Sequence, residues 1–399
     1  MTTRTLFDGA RLQMTESIEM TLASLQAYGP QHRHWAVAWS GGKDSTALVT
    51  FLAWALDAGK VSRPERLDVL YADTRMELLP LWLSAEAIRG ELEERGIQVR
   101  TVMAPMEKRM LPYILGRGVP PPNNNTLRWC TRQIKIDPMA AELRKLDAGL
   151  GKILMLTGVR VGESAARDQR IALSCQGNGA ECGQGWYQQT LPTALCDTLA
   201  PLLHWRVCHV WEWLKHWAPT PDFGDWTTEL LAEAYGGDEA EESQARTGCV
   251  GCPLATQDTA LDALLRRPSW AYLAPLRELR PLYREMRSPL VRLRKAGLEL
   301  RKDGTPASNP QRMGPLSIDA RRGFLVRILD LQARVNAAAD VQRRPRVDIL
   351  SAEEVAFIER CLADGLYPDK WSGDEPMATE LLDTVFADGS GQPLLPGMR

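Results

Sequence analysis

Two short stretches of this chain hold side chains with the types and spacing to do chemistry. The first is Ser40-Gly41-Gly42-Lys43-Asp44-Ser45, set between the apolar run Ala36-Val37-Ala38-Trp39 and the apolar stretch Thr46 to Leu56. A glycine turn that enters a helix aims backbone N–H groups and the positive end of the helix dipole at one point, which favours a phosphate. Gly41 and Gly42 let the backbone approach it, Ser40 and Ser45 add hydroxyl donors, and Lys43 can neutralise charge that builds on a leaving group. The spacing is not that of the Walker loop. The second stretch is Arg246-Thr-Gly-Cys249-Val-Gly-Cys252-Pro253, a tight C-x-x-C that can direct two sulfurs at one metal or cluster. A redox dithiol is the other use of this spacing, but it usually opens a helix in a thioredoxin-like unit, and none is evident.

These residues need elements to hold them. Ala36–Trp39, Arg66–Tyr71, Ile97–Met103 and Lys152–Thr157 read as strands, and Thr46–Leu56, Leu81–Arg95 and Met139–Leu146 as helices between them. The alternation predicts an α/β fold with a parallel sheet covered by helices on both faces. Ligands bind beyond the carboxyl ends of such strands, where Asp73 and Thr74 follow the second strand. The expected organisation is an N-terminal helical segment (1–29), the α/β domain (30–255), a basic α-helical region (256–365) and a C-terminal tail (366–399). Within the α/β domain, 118–125 reads as a loop and the Gly-, Gln- and Cys-rich 171–198 as an insertion. Residues 258–300 and 317–338 read as helical around a linker (303–315), with the last 25 residues loosely held.

At 399 residues, 44% hydrophobic and with a net charge of −2, the chain can bury two cores. No apolar run approaches the roughly 20 residues that span a bilayer, and the N-terminus has no signal pattern, so a cytoplasmic protein without a membrane partner is expected. Its eight cysteines then read as thiols or metal ligands rather than disulfides. Charge is unevenly distributed: Arg266 to Arg346 holds 19 Lys/Arg against 7 Asp/Glu, a net of +12. That suits either a solvated helical surface or a polyanion-binding face. Trp205, Trp211 and Trp213 could stack on bases, although their near-helical spacing favours core packing.

The Ser40–Ser45 loop resembles the PP-loop of the ATP pyrophosphatases. The resemblance implies cleavage of ATP between its α- and β-phosphates with Mg²⁺, and Lys43, Asp44 and Ser45 as catalytic residues. Asp73-Thr74, the run Leu127-Arg-Trp-Cys130-Thr131-Arg-Gln-Ile-Lys135 and the run Thr157-Gly-Val-Arg160-Val-Gly-Glu163-Ser164-Ala-Ala-Arg167 together resemble the phosphoadenosine-phosphosulfate reductase branch of that superfamily. By that likeness Arg160, Glu163, Ser164 and Arg167 line the nucleotide pocket with Ser40–Ser45, Asp73 and Thr74, and Arg170 is a weaker candidate. It also implies that Cys130, Cys249 and Cys252 ligate a [4Fe–4S] cluster. The branch's tandem cysteines are absent, since Thr131 follows Cys130. Cys182 is the first choice for a fourth ligand, ahead of Cys175 and Cys208, and a three-cysteine cluster with an open iron is the alternative. Cys196 and Cys361 read as small hydrophobes.

From about residue 30 to 365 the chain resembles the DNA phosphorothioation sulfurtransferases of the DndC and SspD type. That implies adenylation of a DNA backbone phosphate, then insertion of sulfur supplied by a cysteine desulfurase, alongside other phosphorothioation-system proteins in a bacterial defence system. A phosphosulfate reductase would be expected to carry a nucleophilic cysteine in a C-terminal Glu-Cys-Gly-x-His tail, whereas this sequence closes on PLLPGMR. An RNA thiolase and a non-enzymatic, nucleotide- and cluster-dependent assembly subunit are the remaining alternatives.

Overall fold

Five strands, His34–Trp39 (β1), Arg66–Ala72 (β2), Gln98–Val102 (β3), Ile153–Thr157 (β4) and Cys196–Leu199 (β5), form one parallel sheet in the order β3-β2-β1-β4-β5. β1 is buried along nearly all of its length, as an unbroken apolar run in a parallel sheet must be. The computed structural model describes residues 12–123, 127–146, 149–162, 196–236, 248–297, 299 and 303–395. The chain divides into two interleaved units. Unit 1 is Met1–Asp73, Glu77–Met103 and Lys135–Gly248, and unit 2 is Thr74–Met76, Ala104–Ile134 and Cys249–Arg399.

Unit 1 surrounds the sheet with Met14–Tyr28 (α1), Lys43–Asp57 (α2), Leu79–Glu94 (α3), Asp137–Lys145 (α4), Val207–Glu212 (α5) and Glu229–Ala234 (α6). Every residue of α2 from Ser45 to Leu56 is buried, so this helix lies inside the unit rather than on it. Phe51 of α2 packs against Trp54, Trp205 and Trp213, while the indole N–H groups of Trp205 and Trp213 donate to Thr21 (2.8 Å) and Thr50 (3.0 Å). Trp205, Trp211 and Trp213 are all within 1% of full burial. They are core residues, and base stacking by them is excluded.

Away from the carboxyl ends of the strands, Asp68 is fully buried and accepts from His34 Nε2 (2.8 Å), Arg66 Nε (2.7 Å) and Arg100 Nε (2.7 Å). Burial pushes its carboxyl up, but the three hydrogen bonds outweigh it and hold the group well below the ordinary carboxylate range. β5 falls at the end of the stretch expected to be a structureless insertion. Four residues, Cys-Asp-Thr-Leu, are too few to show a period.

Unit 2 holds Thr259–Leu265 (α7), a 3-10 stretch Pro268–Glu278, Leu279–Glu285 (α8), Ile318–Val341 (α9) and Ala352–Ala363 (α10). The helical run expected over 258–300 is broken, since Pro268, Pro275 and Pro289 each lack the N–H that an α-helix needs. It ends in Arg292–Arg294 (β6), which pairs antiparallel with Met313–Leu316 (β7), so the expected linker closes as a hairpin. Thr384–Val385 (β8) and Gly391–Gln392 (β9) form a second small hairpin. The tail is tied down by Arg294 N–H on Pro376 O (2.9 Å), a bridge from Leu293 to Met377 and Lys295 on Glu375 (2.7 Å). Ser317 caps α9, and Ser351 with Glu354 forms a capping box on α10.

Much of the positive charge in unit 2 is neutralised locally: Arg277 pairs with Asp262, Arg327 with Glu285, Arg334 with Glu278 and Asp330, Arg346 with Asp340, and Arg312 with Glu299. Arg321 is buried, donating to Gly116 O and Leu366 O (2.8 Å each) with its guanidinium over Tyr367. Among the described residues no helix is long and apolar enough to cross a membrane.

Candidate functional site

The strand order makes β1 the point where the connections diverge: β2 and β3 lie to one side of it, β4 and β5 to the other. In open α/β sheets that switch point is the ligand crevice. The Ser40–Gly42 turn follows β1 there, and Gly158–Arg160 follows β4. Gly41 has φ of 70°, which only glycine adopts without strain, and Gly42 caps α2 in an extended conformation. Ser45 Oγ accepts from the Ser40 N–H (3.2 Å) and donates to Gly42 O (3.0 Å), with Ser40 Oγ 3.2 Å away. Both hydroxyls thus close the turn, leaving its N–H groups at the mouth of α2.

Charge at this turn is organised by Asp44. Arg160 Nε donates to Asp44 Oδ1 (2.5 Å), and Lys43 Nζ lies 3.3 Å from Asp44 Oδ2. Arg160 is 5% exposed and also donates to Trp205 O (3.3 Å). Tyr235 braces the lysine: its hydroxyl accepts the Lys43 N–H (3.2 Å) and its ring lies 5.1 Å from Nζ. The result is a rigid pair of cations at a helix N-terminus, suited to a polyphosphate.

Gly158 lets β4 meet this turn. A Cβ there would stand 2.7 Å from Asp44 O and 2.9 Å from Ser45 N, both backbone atoms that cannot swing away. Gly158→Ala is therefore expected to cost about 1–3 kcal/mol of stability. It should also weaken ATP binding more than it weakens the fold, which thermal melts with and without ATP would read as a smaller nucleotide-induced rise in Tm.

Asp73 is buried at the end of β2, its N–H donating to Val102 O (3.1 Å). Thr74 is also buried and begins the short Thr74–Met76 segment of unit 2. Glu163, Ser164, Arg167 and Arg170 lie outside the described residues. Tyr71, Tyr235 and Gly158 were not singled out from sequence. Tyr71 reaches the turn through its ring, 3.5 Å from the Cβ position of Gly41, and its buried hydroxyl has no hydrogen-bond partner among the described residues. Burial, with Glu77 and Asp73 adding to it, pushes that phenol up. No motif marks the two tyrosines, and Gly158 lies in the Thr157–Arg167 run without having been given a role; each acts through a contact between segments distant in sequence.

Cys130, Cys249 and Cys252 all belong to unit 2 and are half-buried. Cys252 N–H donates to Cys249 O (3.1 Å), closing the C-x-x-C turn, and Asp258 Oδ2 accepts the Gly251 N–H (2.9 Å). Gly251 has φ of 63°, and a Cβ on it would stand 2.6 Å from Leu279 Cβ, so the turn is pressed onto α8. Burial pushes the Cys130 thiol up, and the nearness of Cys252 adds to it. Among the described residues no three His, Cys, Asp or Glu side chains are grouped to hold a metal ion. The donor set still fits an iron–sulfur cluster, since each thiolate of a cluster binds a different iron, whereas zinc gathers its ligands around one ion. Cys175 and Cys182 lie outside the described residues, and Cys208 is exposed on α5 of unit 1. Cys196 and Cys361 are buried, and burial pushes both thiols up, Cys196 to about 11.

Residues 34–218 match the phosphoadenosine phosphosulfate reductase domain. No curated protein matches the chain. Among solved structures, the chain is similar to an FMN adenylyltransferase from Candida glabrata (14% identity, TM-score 0.32), covering 51% of this chain and 55% of that one. It is also similar to the phosphoadenylyl-sulfate reductase from Candida auris in its phosphate complex (10%, TM-score 0.34), covering 60% of this chain and 97% of that one. A third is the tRNA thiolase NcsA from Methanococcus maripaludis with its [4Fe-4S] cluster (15%, TM-score 0.32), at 58% and 76% coverage. The chain thus spans about half the length of the adenylyltransferase, and likenesses this distant do not bear on activity. With the five-stranded parallel sheet and the glycine turn at its switch point, residues 34–218 have a fold like that of the phosphoadenosine phosphosulfate reductase domain, of the PP-loop kind.

Proposed function

We propose that this chain is an ATP-dependent sulfurtransferase that adenylates a phosphate of the DNA backbone and replaces one of its oxygens with sulfur. The observation that carries the reading is the Lys43–Asp44–Arg160 arrangement at the mouth of α2, a site for ATP phosphates inside a reductase-like domain. Ser40–Ser45 would hold the phosphates, with Arg160, Asp73, Thr74, Glu163, Ser164 and Arg167 around the nucleotide, and Mg²⁺ would accompany the phosphates.

A DNA phosphate oxygen attacks the α-phosphorus of ATP, an O–P bond forms, and the bond to the β-phosphate oxygen breaks. Lys43 and the N–H groups of α2 stabilise charge on the departing pyrophosphate. Sulfur at the hydrosulfide level then attacks the activated DNA phosphorus, and AMP leaves with the former DNA oxygen. Cys130, Cys249 and Cys252, with Cys182 as a candidate fourth ligand, would hold the [4Fe–4S] cluster, which when bound supplies iron at which sulfur can be held. A cysteine desulfurase would supply the sulfur as a persulfide, a dithiol or other two-electron reductant would release it at the hydrosulfide level, other phosphorothioation-system proteins would act with it, and the basic residues of unit 2 would meet the DNA.

The test is ATP–pyrophosphate exchange with DNA present, followed by sulfur labelling and nuclease digestion of the product. Label in the backbone supports the reading, whereas label on a nucleobase makes the chain an RNA or base thiolase. Nucleotide binding without any exchange makes it a non-enzymatic assembly subunit. Cys249→Ala and Cys252→Ala are expected to lose sulfur transfer at least 100-fold while exchange stays within about threefold, because the thiols act after adenylation.

A further inference from the structure

α8 carries Leu279 and Tyr283 one turn apart, on the same face of the helix. Gly251, in the middle of the C-x-x-C turn, is pressed onto Leu279, so Tyr283 is one turn along the face that the turn covers. Tyr283 is completely buried, and its hydroxyl has no hydrogen-bond partner among the described residues. A buried hydroxyl without a partner is costly, and native interiors rarely leave one. After burial itself, Cys249 and Cys252 are what push this phenol up. Among the described residues, the Tyr283 hydroxyl is therefore a donor without an acceptor on the helix that the cysteine turn covers.

We infer that the Tyr283 hydroxyl is a hydrogen-bond donor to a sulfur of the cluster held by Cys249 and Cys252. This rests on the cluster assignment above. A phenol O–H directed at a thiolate or sulfide offsets the negative charge that the cluster gains on reduction, so it raises the reduction potential and favours the reduced form. The hydroxyl that has no partner in the protein alone acquires one from the cluster, which ties cluster binding to the order of α8.

The experiment compares wild type, Tyr283→Phe and the control Tyr272→Phe, whose hydroxyl donates instead to Pro345 O (2.8 Å). Each is reconstituted anaerobically with iron and sulfide, then assayed for iron and sulfide content, reduction potential, and Tm with and without the cluster. Tyr283→Phe should keep the cluster-free Tm or raise it, lower the potential, and reduce the rise in Tm that the cluster brings, while Tyr272→Phe leaves the potential at the wild-type value. A loaded Tyr283→Phe protein with wild-type potential and a wild-type cluster-induced rise overturns the inference alone. So does a fall in Tm that is equal with and without the cluster, which would make the hydroxyl structural. Wild type that takes up zinc or no metal overturns the cluster assignment and this inference together.

Discussion

Lys43→Ala is expected to lower ATP–pyrophosphate exchange by about 100- to 1,000-fold, the usual consequence of removing one preorganised donor from a developing negative charge. The lysine is well placed for this. Its side chain is 11% exposed, its Nζ is held 3.3 Å from Asp44, and the Tyr235 ring bounds it on another side. A cation fixed in this way stabilises charge as the pyrophosphate leaves, with little reorganisation left to do. The loss should therefore fall mainly on the maximal rate and less on ATP affinity, to which the α2 N–H groups also contribute. The fold should tolerate the change, since Asp44 keeps its partner Arg160. Exchange kinetics and a thermal melt on the same preparation test both halves, and unchanged exchange would remove Lys43 from the chemistry.

Asp68→Asn is expected to destabilise unit 1 by about 3–5 kcal/mol, the range for breaking a buried ion pair by removal of one partner. It would leave three donors, from His34, Arg66 and Arg100, facing a neutral amide that can neither accept all of them nor balance the charge. Against a total stability of about 5–15 kcal/mol, that is a large fraction. The pH dependence has a definite sign. The folded carboxyl lies below its unfolded value of about 3.9, so its contribution is complete above about pH 4 and is lost as pH falls through the folded value. Urea melts should give a constant difference between wild type and variant from pH 7 to about pH 5. The difference should shrink only in stronger acid. A gap that narrowed near pH 6 would assign the effect to another group.

The sheet and the PP-loop turn are legible in the sequence because their signals are local. An unbroken apolar run, two glycines and a hydroxyl-rich helix start identify β1, the turn and α2 within a score of residues. Asp73 could be placed for the same reason, as the residue after a strand. What was not legible depends on contacts across the chain. Gly158 matters because its missing Cβ admits Asp44, and Tyr235 because its hydroxyl accepts from Lys43; the run around Gly158 is recognisable but does not show that contact, and Tyr235 has no recognisable neighbour in sequence. The proline breaks near Pro268 and Pro275 were visible, but apolar density over 258–300 outweighed them in a helical reading. The basic character of Arg266–Arg346 was read from a count. The count does not reveal that Arg277, Arg327, Arg334 and Arg346 each already face a carboxylate.

The interleaving of the two units has a consequence for how the chain comes off the ribosome. Ala104–Ile134, which carries Cys130, is synthesised long before Cys249–Arg399, the bulk of its own unit. Until α9 is made, Gly116 O has no Arg321 to accept from, and until α10 is made, Arg109 has no Glu354 to pair with. The sheet of unit 1 can close while this internal segment is still waiting, because domains tend to fold in order of emergence. Truncation before residue 318 would therefore not trim an accessory region. It would leave Cys130 on a segment with no core to hold it, so a fragment ending there would keep the sheet and the glycine turn and lose the setting of its cysteines.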